Sequence, residues 1–223
     1  MGNGKTSRIV NGHDVDPHAM PWQVAIVGKN TVRMHCGGSI LCPNFIISAG
    51  HCALEKEPAP CRPCKIKGPH PPDRFDILVG EHNLQRPEST RHAIKAIHIH
   101  PQYEQTPGNY PKKDYDASIY ELLQPIVMRP EAKGIHLPDP SDPALSAGKM
   151  MVVSGWGALA DLGPTPEILQ AVKVPLVADS DCQRAYRVIF KPRIMVCAGF
   201  MDTGRADSCS GDSGGMNYSK CNF

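Results

Sequence analysis

The chain has 223 residues, 41% of them hydrophobic, enough to bury an ordinary core, and all-β units often reach this length as one domain. Its 24 basic and 22 acidic residues leave a net charge of +2 and form no long basic run, which argues against nucleic acid or an anionic membrane as partner. No stretch approaches the roughly 18–20 consecutive apolar residues of a membrane-spanning helix, and nine cysteines favour an oxidising compartment, the odd count leaving at least one without an internal disulfide partner.

Residues 1–8 lack the apolar core that a secretory signal requires. Gly2 with Thr6 fits a permissive myristoylation pattern, and Gly4-Lys-Thr6 echoes a phosphate loop without its upstream glycine or strand, so neither directs the reading. Short β-like runs then recur at 22–27, 39–48, 75–79, 92–100, 118–122, 150–154 and 169–177, separated by Pro, Gly and Asn. That rhythm predicts an antiparallel sandwich or barrel. Helical periodicity is scarce, the best segment being 180–188 with Ser180 or Asp181 as its cap. Two polar stretches, 55–73 and 102–113, break the rhythm and are expected to be surface insertions.

Two patterns along the way suggest metal chemistry and do not carry it. His98 and His100 alternate with Ile97 and Ile99 on one face of a strand, which fits a solvated face better than a two-histidine site. Cys61-Arg-Pro-Cys64 has no second pair to complete a zinc site and lies in a proline-rich loop, where a loop disulfide or free thiols fit better.

The most informative segment is Gly211-Asp-Ser213-Gly-Gly215, where small residues around a serine permit a tight turn that exposes its hydroxyl and converges backbone N–H groups. A serine nucleophile needs a base. The Gly-x-Ser-x-Gly elbow of α/β-hydrolases puts its acid and histidine after the serine, but the ten residues following Ser213 contain no His, Asp or Glu. If Ser213 is a nucleophile, its base and acid must therefore precede it, and the order His, Asp, Ser is the one that chymotrypsin-like β-barrel enzymes use. Ser48-Ala-Gly-His51-Cys52 follows the apolar run Phe45-Ile-Ile and places His51 where a strand would end.

Taken together, the motifs resemble the trypsin/chymotrypsin family of serine proteases from Arg8 to about Gly215. They run in the family's order: Arg8-Ile-Val-Asn-Gly12, Pro21-Trp-Gln-Val24, Cys36-Gly-Gly-Ser39, Ser48 to Cys52, Asp114-Tyr-Asp116-Ala-Ser118, Ser154-Gly-Trp-Gly157, Val196-Cys-Ala-Gly199, and Asp207 to Gly215. The resemblance implies an all-β fold of two six-stranded antiparallel barrels, with residues 1–8 a short pro-segment and 9–223 the protease domain. It implies a triad in which Ser213 attacks the scissile carbonyl, His51 moves its proton and Asp116 orients the imidazole, leaving Asp114 as a solvated loop acid. It also implies an oxyanion hole from the N–H groups of Gly211 and Ser213, and Asp207 at the base of a pocket for substrate Arg or Lys. Cleavage after Arg8 would free the Ile9 amine to pair with Asp212, so that the uncut chain is a zymogen.

Cys36 with Cys52 and Cys182 with Cys197 resemble two family bridges, while Cys42, Cys61, Cys64, Cys209 and Cys221 have no assigned partner. The loop beginning Gly80-Glu-His-Asn83 resembles a calcium loop of trypsins, but Arg91 stands near a position where they supply a carboxylate, so no metal and no cofactor are expected. After Gly215 the chain departs from the family: residues 216–223 resemble none of its last strands, pocket wall or terminal helix. The second barrel is accordingly expected to be incomplete. The resulting expectation is a secreted, monomeric, trypsin-like serine endopeptidase acting on protein or peptide substrates at Arg/Lys and open to protease inhibitors. The alternative is a catalytically inactive truncated homologue that acts at most as a binding module.

Overall fold

A computed structural model describes residues 12–56, 66–86, 88–103, 114–139, 146–158 and 164–200. Its strands are β1 (His13–Asp14), β2 (Gln23–Gly28), β3 (Met34–Cys42), β4 (Phe45–Ser48), β5 (Leu54–Lys56), β6 (Ile66–Pro69), β7 (Phe75–Val79), β8 (Thr90–Ile99), β9 (Ser118–Leu122), β10 (Met150–Gly155) and β11 (Gln170–Pro175). Strands β2-β3-β4-β9-β8-β7 close into a six-stranded antiparallel barrel, β1-β11-β10 form a second sheet, and β5 pairs with β6. The run at 39–48 is thus a hairpin of β3 and β4 turning at Pro43 and Asn44, and the β9 run has its expected limits.

Side-chain alternation explains where the core sits. Val24, Ile26, Ile40, Ile46, Ile77, Val79, Tyr120 and Leu122 point into the barrel and are almost completely buried. The intervening residues of β2 and β7, Ala25, Val27 and Leu78, are equally buried, because they pack outside the barrel against Trp156, Leu169 and Ala171 of the second sheet region. Burial on both faces is why Gln23–Gly28 and Phe75–Val79 read as nearly continuous apolar runs rather than alternating ones. Two polar ties cross the same seam: Ser154 Oγ donates to Gln23 Oε1 at 2.8 Å, and Trp156 Nε1 donates to the His82 carbonyl at 3.3 Å.

Three expectations change. The helix, α1, spans Asp179–Tyr186, with Ala178 rather than Ser180 or Asp181 at its N-cap. No side chain caps it; Asp179 and Asp181 instead place negative charge beside the free N–H groups of its first turn. The insertion at 55–73 is not wholly loop, since its two ends pair as β5 and β6 and a 3-10 turn spans Pro72–Arg74. Asp114 is not a solvated acid, as described below. Among the described residues the second unit is a three-stranded sheet extended by a bridge between Leu176 and Ala198. Residues 201–223, on which the incomplete second barrel was expected, lie outside the described residues. No described helix is long and apolar enough to cross a membrane.

Candidate active site

At the end of β4 the chain tightens into a 3-10 turn, Gly50–Ala53, that carries His51. Three ties fix this turn. The Cys36–Cys52 disulfide joins it to β3, Ser48 Oγ donates to the Gly37 carbonyl at 2.8 Å, and Ser118 Oγ donates to the Ala49 carbonyl at 2.7 Å. Ser118 begins β9, so the last bond ties the histidine turn to the segment that supplies the acid.

That segment, Asp114 to Ala117, is bent by Tyr115, which adopts φ 56°, with the Ala117 N–H returning to the Tyr115 carbonyl. A tyrosine in the left-handed region is uncommon; here its ring stacks on His100 with centroids 4.8 Å apart. The bend turns Asp116 inward, its side chain 2% exposed, against a His51 side chain that is 25% exposed. Asp116 Oδ1 accepts the backbone N–H of His51 at 2.7 Å, and Asp116 Oδ2 lies 2.9 Å from His51 Nδ1. A carboxylate can only accept, so Nδ1 carries the hydrogen and Nε2 keeps its lone pair for a proton from elsewhere. Gly50 has no side chain for a steric reason: a Cβ there would lie 3.2 Å from Ala117 N, Ala117 O and Asp116 Oδ1.

Asp114, two residues away, is buried and paired with Lys191, which separates the roles of the two acids. Tyr103 lies close enough to Asp116 to respond to it: burial first, and then that negative charge, hold its hydroxyl protonated well above the usual tyrosine range.

A second group of residues supports the turn, and local sequence reading does not find it. His35 Nε2 donates to the Cys52 carbonyl at 2.8 Å, and its ring stacks on Phe75 at 4.3 Å. His70 packs edge-on against both rings, and its backbone N–H donates to the Ala53 carbonyl at 2.8 Å. Burial is the main reason both imidazoles titrate low, His70 at about 4, with the Arg74 charge adding to the effect. The His51-Cys52-Ala53 turn, preceded by His35 and followed by His70, was the available signal, but the pairing spans an insertion.

Cys36, His51 and Cys52 bring three potential metal ligands together, yet the two sulfurs are bonded to each other and cannot act as thiolates. His98 pairs with Glu121 at 3.3 Å on an exposed strand face. In the loop that resembles a calcium site, Glu81 Oε1 accepts the N–H groups of His82 and Asn83. Arg91 is committed to Asp76 Oδ2 at 2.9 Å and to the Thr31 carbonyl at 2.9 Å.

The second disulfide joins Cys182 and Cys197, and Cys42 is an exposed free thiol. Ser213, Gly211, Asp212, Asp207, Arg8 and Ile9 lie outside the described residues, as do Cys61, Cys64, Cys209 and Cys221. The structure thus brings together the expected base and acid and distinguishes Asp116 from Asp114.

Comparison with known proteins agrees with this geometry. The trypsin family model matches residues 9–219. Human mannan-binding lectin serine protease 1 is 34% identical over 216 residues, covering 94% of this chain and 29% of its own length; the chain therefore spans less than a third of that relative. Coagulation factor IX of Cavia porcellus is 33% identical over 219 residues, covering 96% of this chain and 68% of its own. Among solved structures, neuropsin, a serine protease expressed in the limbic system of mouse brain, superposes with a TM-score of 0.74 at 25% identity, over 92% of this chain and 80% of that one. A closed antiparallel barrel whose histidine turn and buried aspartate meet as they do here, matched over residues 9–219 by that family model, makes this chain a member of the trypsin family of serine proteases.

Proposed function

We propose that the chain is a serine endopeptidase that hydrolyses peptide bonds after Arg or Lys through His51, Asp116 and Ser213. One observation carries the reading. Both carboxylate oxygens of a buried aspartate are spent on one histidine, fixing its backbone and its tautomer, while a quarter of the imidazole faces solvent. An aspartate that only stabilised the turn would need one of those bonds; the second prepares an imidazole to accept a proton at Nε2.

In this reading Ser213 Oγ adds to the substrate carbonyl as its proton passes to His51 Nε2, and the N–H groups of Gly211 and Ser213 hold the developing oxyanion. The imidazolium, stabilised by Asp116, returns the proton to the leaving amine, and water then releases the acyl group by the same relay. Asp207 would meet the substrate guanidinium or ammonium by a charge-assisted hydrogen bond. Residues 1–8 act as a pro-segment and 9–223 as the protease domain; cutting after Arg8 frees the Ile9 amine to pair with Asp212. The two disulfides favour an oxidising, extracellular setting for this chemistry.

Expression in an oxidising host, cleavage after Arg8 and hydrolysis of an arginyl amide test the reading. Turnover that is lost in Ser213→Ala and after omission of the cleavage is expected. A folded, cleaved chain no faster than Ser213→Ala would refute it and leave an inactive homologue. Faster turnover of a leucyl than an arginyl amide would remove the role of Asp207.

A further inference from the structure

The segment that supplies the catalytic acid also forms one wall of a cavity of about 850 Å³ facing the end of α1 and the residues that follow it. Asp114 and Tyr115 line one side; Arg187, Val188, Lys191 and Arg193 line the other. Lys191 is neutralised by Asp114. Among the described residues Arg187 and Arg193 have no carboxylate partner, so the described lining of the cavity presents two unpaired guanidinium groups. Beside them Val188 is 90% exposed and Ile189 is 58% exposed. A surface that combines two free arginines with outward β-branched side chains is ill suited to water and well suited to an acidic, partly apolar chain.

Arg187 adds a second observation. It takes φ 49° and ψ −123°, a conformation open to glycine and strained for a bulky residue. The turn it makes needs no arginine, since its cap bond to the Gln183 carbonyl comes from the backbone N–H. A cation kept at a strained position on the rim of a charged groove points to a use for the charge.

We propose that this groove is a docking subsite for an acidic segment of the protein substrate, with carboxylates on Arg187 and Arg193 and an apolar side chain on Val188. The substrate role rests on the protease reading; the recognition chemistry does not. Two free cations among apolar side chains favour a peptide over a polysulfated chain, which would draw on a longer row of cations.

The test uses the full chain carrying Ser213→Ala, so that bound peptide is not consumed, and a fluorescein-labelled peptide of six alternating glutamates and leucines read by anisotropy. Combining Arg187→Gly, which relieves the strained turn, with Arg193→Glu should weaken binding roughly tenfold or more, as should raising salt from about 0.05 to about 0.5 M. The same two substitutions in the Ser213 chain should leave hydrolysis of a short arginyl amide unchanged. Equal peptide binding by the folded double variant overturns the proposal. So does a heparin oligosaccharide that binds through these arginines when the peptide does not. If the Ser213 chain fails to turn over the amide while peptide binding still depends on the two arginines, the catalytic reading fails and the docking groove stands.

Discussion

Gly50→Ala is the sharpest perturbation of the active site, because the structure defines what the new methyl would meet. Its Cβ would lie 3.2 Å from Ala117 N, Ala117 O and Asp116 Oδ1, inside ordinary contact distance on three sides, two of them backbone. Gly50 is not among the glycines at positive φ, so the cost is steric rather than conformational. The acid segment must retreat by a few tenths of an ångström, and overpacking of this kind costs about 1–3 kcal/mol. For a protein of this size each kcal/mol lowers Tm by about 2–4 °C. The same retreat lengthens the two His51–Asp116 bonds, so kcat/KM on an arginyl amide should fall roughly tenfold to a hundredfold, mostly in kcat. Calorimetry and initial rates read the two effects separately. In an Asp116→Ala background one of the three contacts is gone, and the stability penalty of Gly50→Ala should shrink. An alanine variant with unchanged Tm and unchanged rate would refute the argument that the acid segment is seated directly against this turn.

Two further outcomes follow from groups other than His51 and Asp116. His70 is held neutral in the folded chain down to about pH 4, first by burial and then by the Arg74 and His35 charges, whereas an unfolded histidine takes up its proton near 6.5. Between those values the unfolded chain binds the extra proton. The His70 share of stability should therefore fall as pH drops through that window and level off below it, by about 1–2 kcal/mol after allowance for solvent screening; denaturant unfolding of His70→Gln should show a shallower slope, the remainder belonging to His35, and an identical slope in both proteins would exclude His70 as a source. Replacing Cys182 and Cys197 together by serine opens a loop of sequence separation 15 and should cost about 3 kcal/mol, seen as a lower denaturation midpoint; an unchanged midpoint would mean the bridge adds nothing to the fold.

What could be read in advance divides by the range of the interaction. Phe75–Val79 and Ser118–Leu122 were legible to the residue, because β-branched and aromatic residues between turn-formers leave few other conformations open. The histidine turn and its acid were legible because their local sequences are constrained: Gly50 by the space beside Ala117, and Ser118 by its bond to Ala49. The errors fall on contacts whose partners lie far along the chain. Asp114 reads as a solvated loop acid until Lys191, 77 residues later, folds onto it. The β5–β6 pair is hidden because the residues between its strands are rich in proline, which locally argues against a ladder.

The same division separates the proposed catalytic pair from the surface that would choose its substrates. His51 and Asp116 are 65 residues apart, yet each sits in a segment that resembles a motif of the family, and that resemblance is what singles it out from the other histidines and from Asp114. Arg187, Val188 and Arg193 belong to no motif. Their meaning comes from the end of α1, the strained turn at Arg187 and the neutralisation of Lys191 by Asp114, none of which is a local property of the sequence. Asp114 then has a different function from its neighbour: by pairing with Lys191 it removes one positive charge from the groove and leaves two. Asp114→Asn would free that lysine and should tighten binding of the acidic peptide, while leaving the two bonds between Asp116 and His51 in place. Adjacent acids in one short segment would thus serve chemistry and recognition separately, one turned toward the imidazole and the other toward the groove.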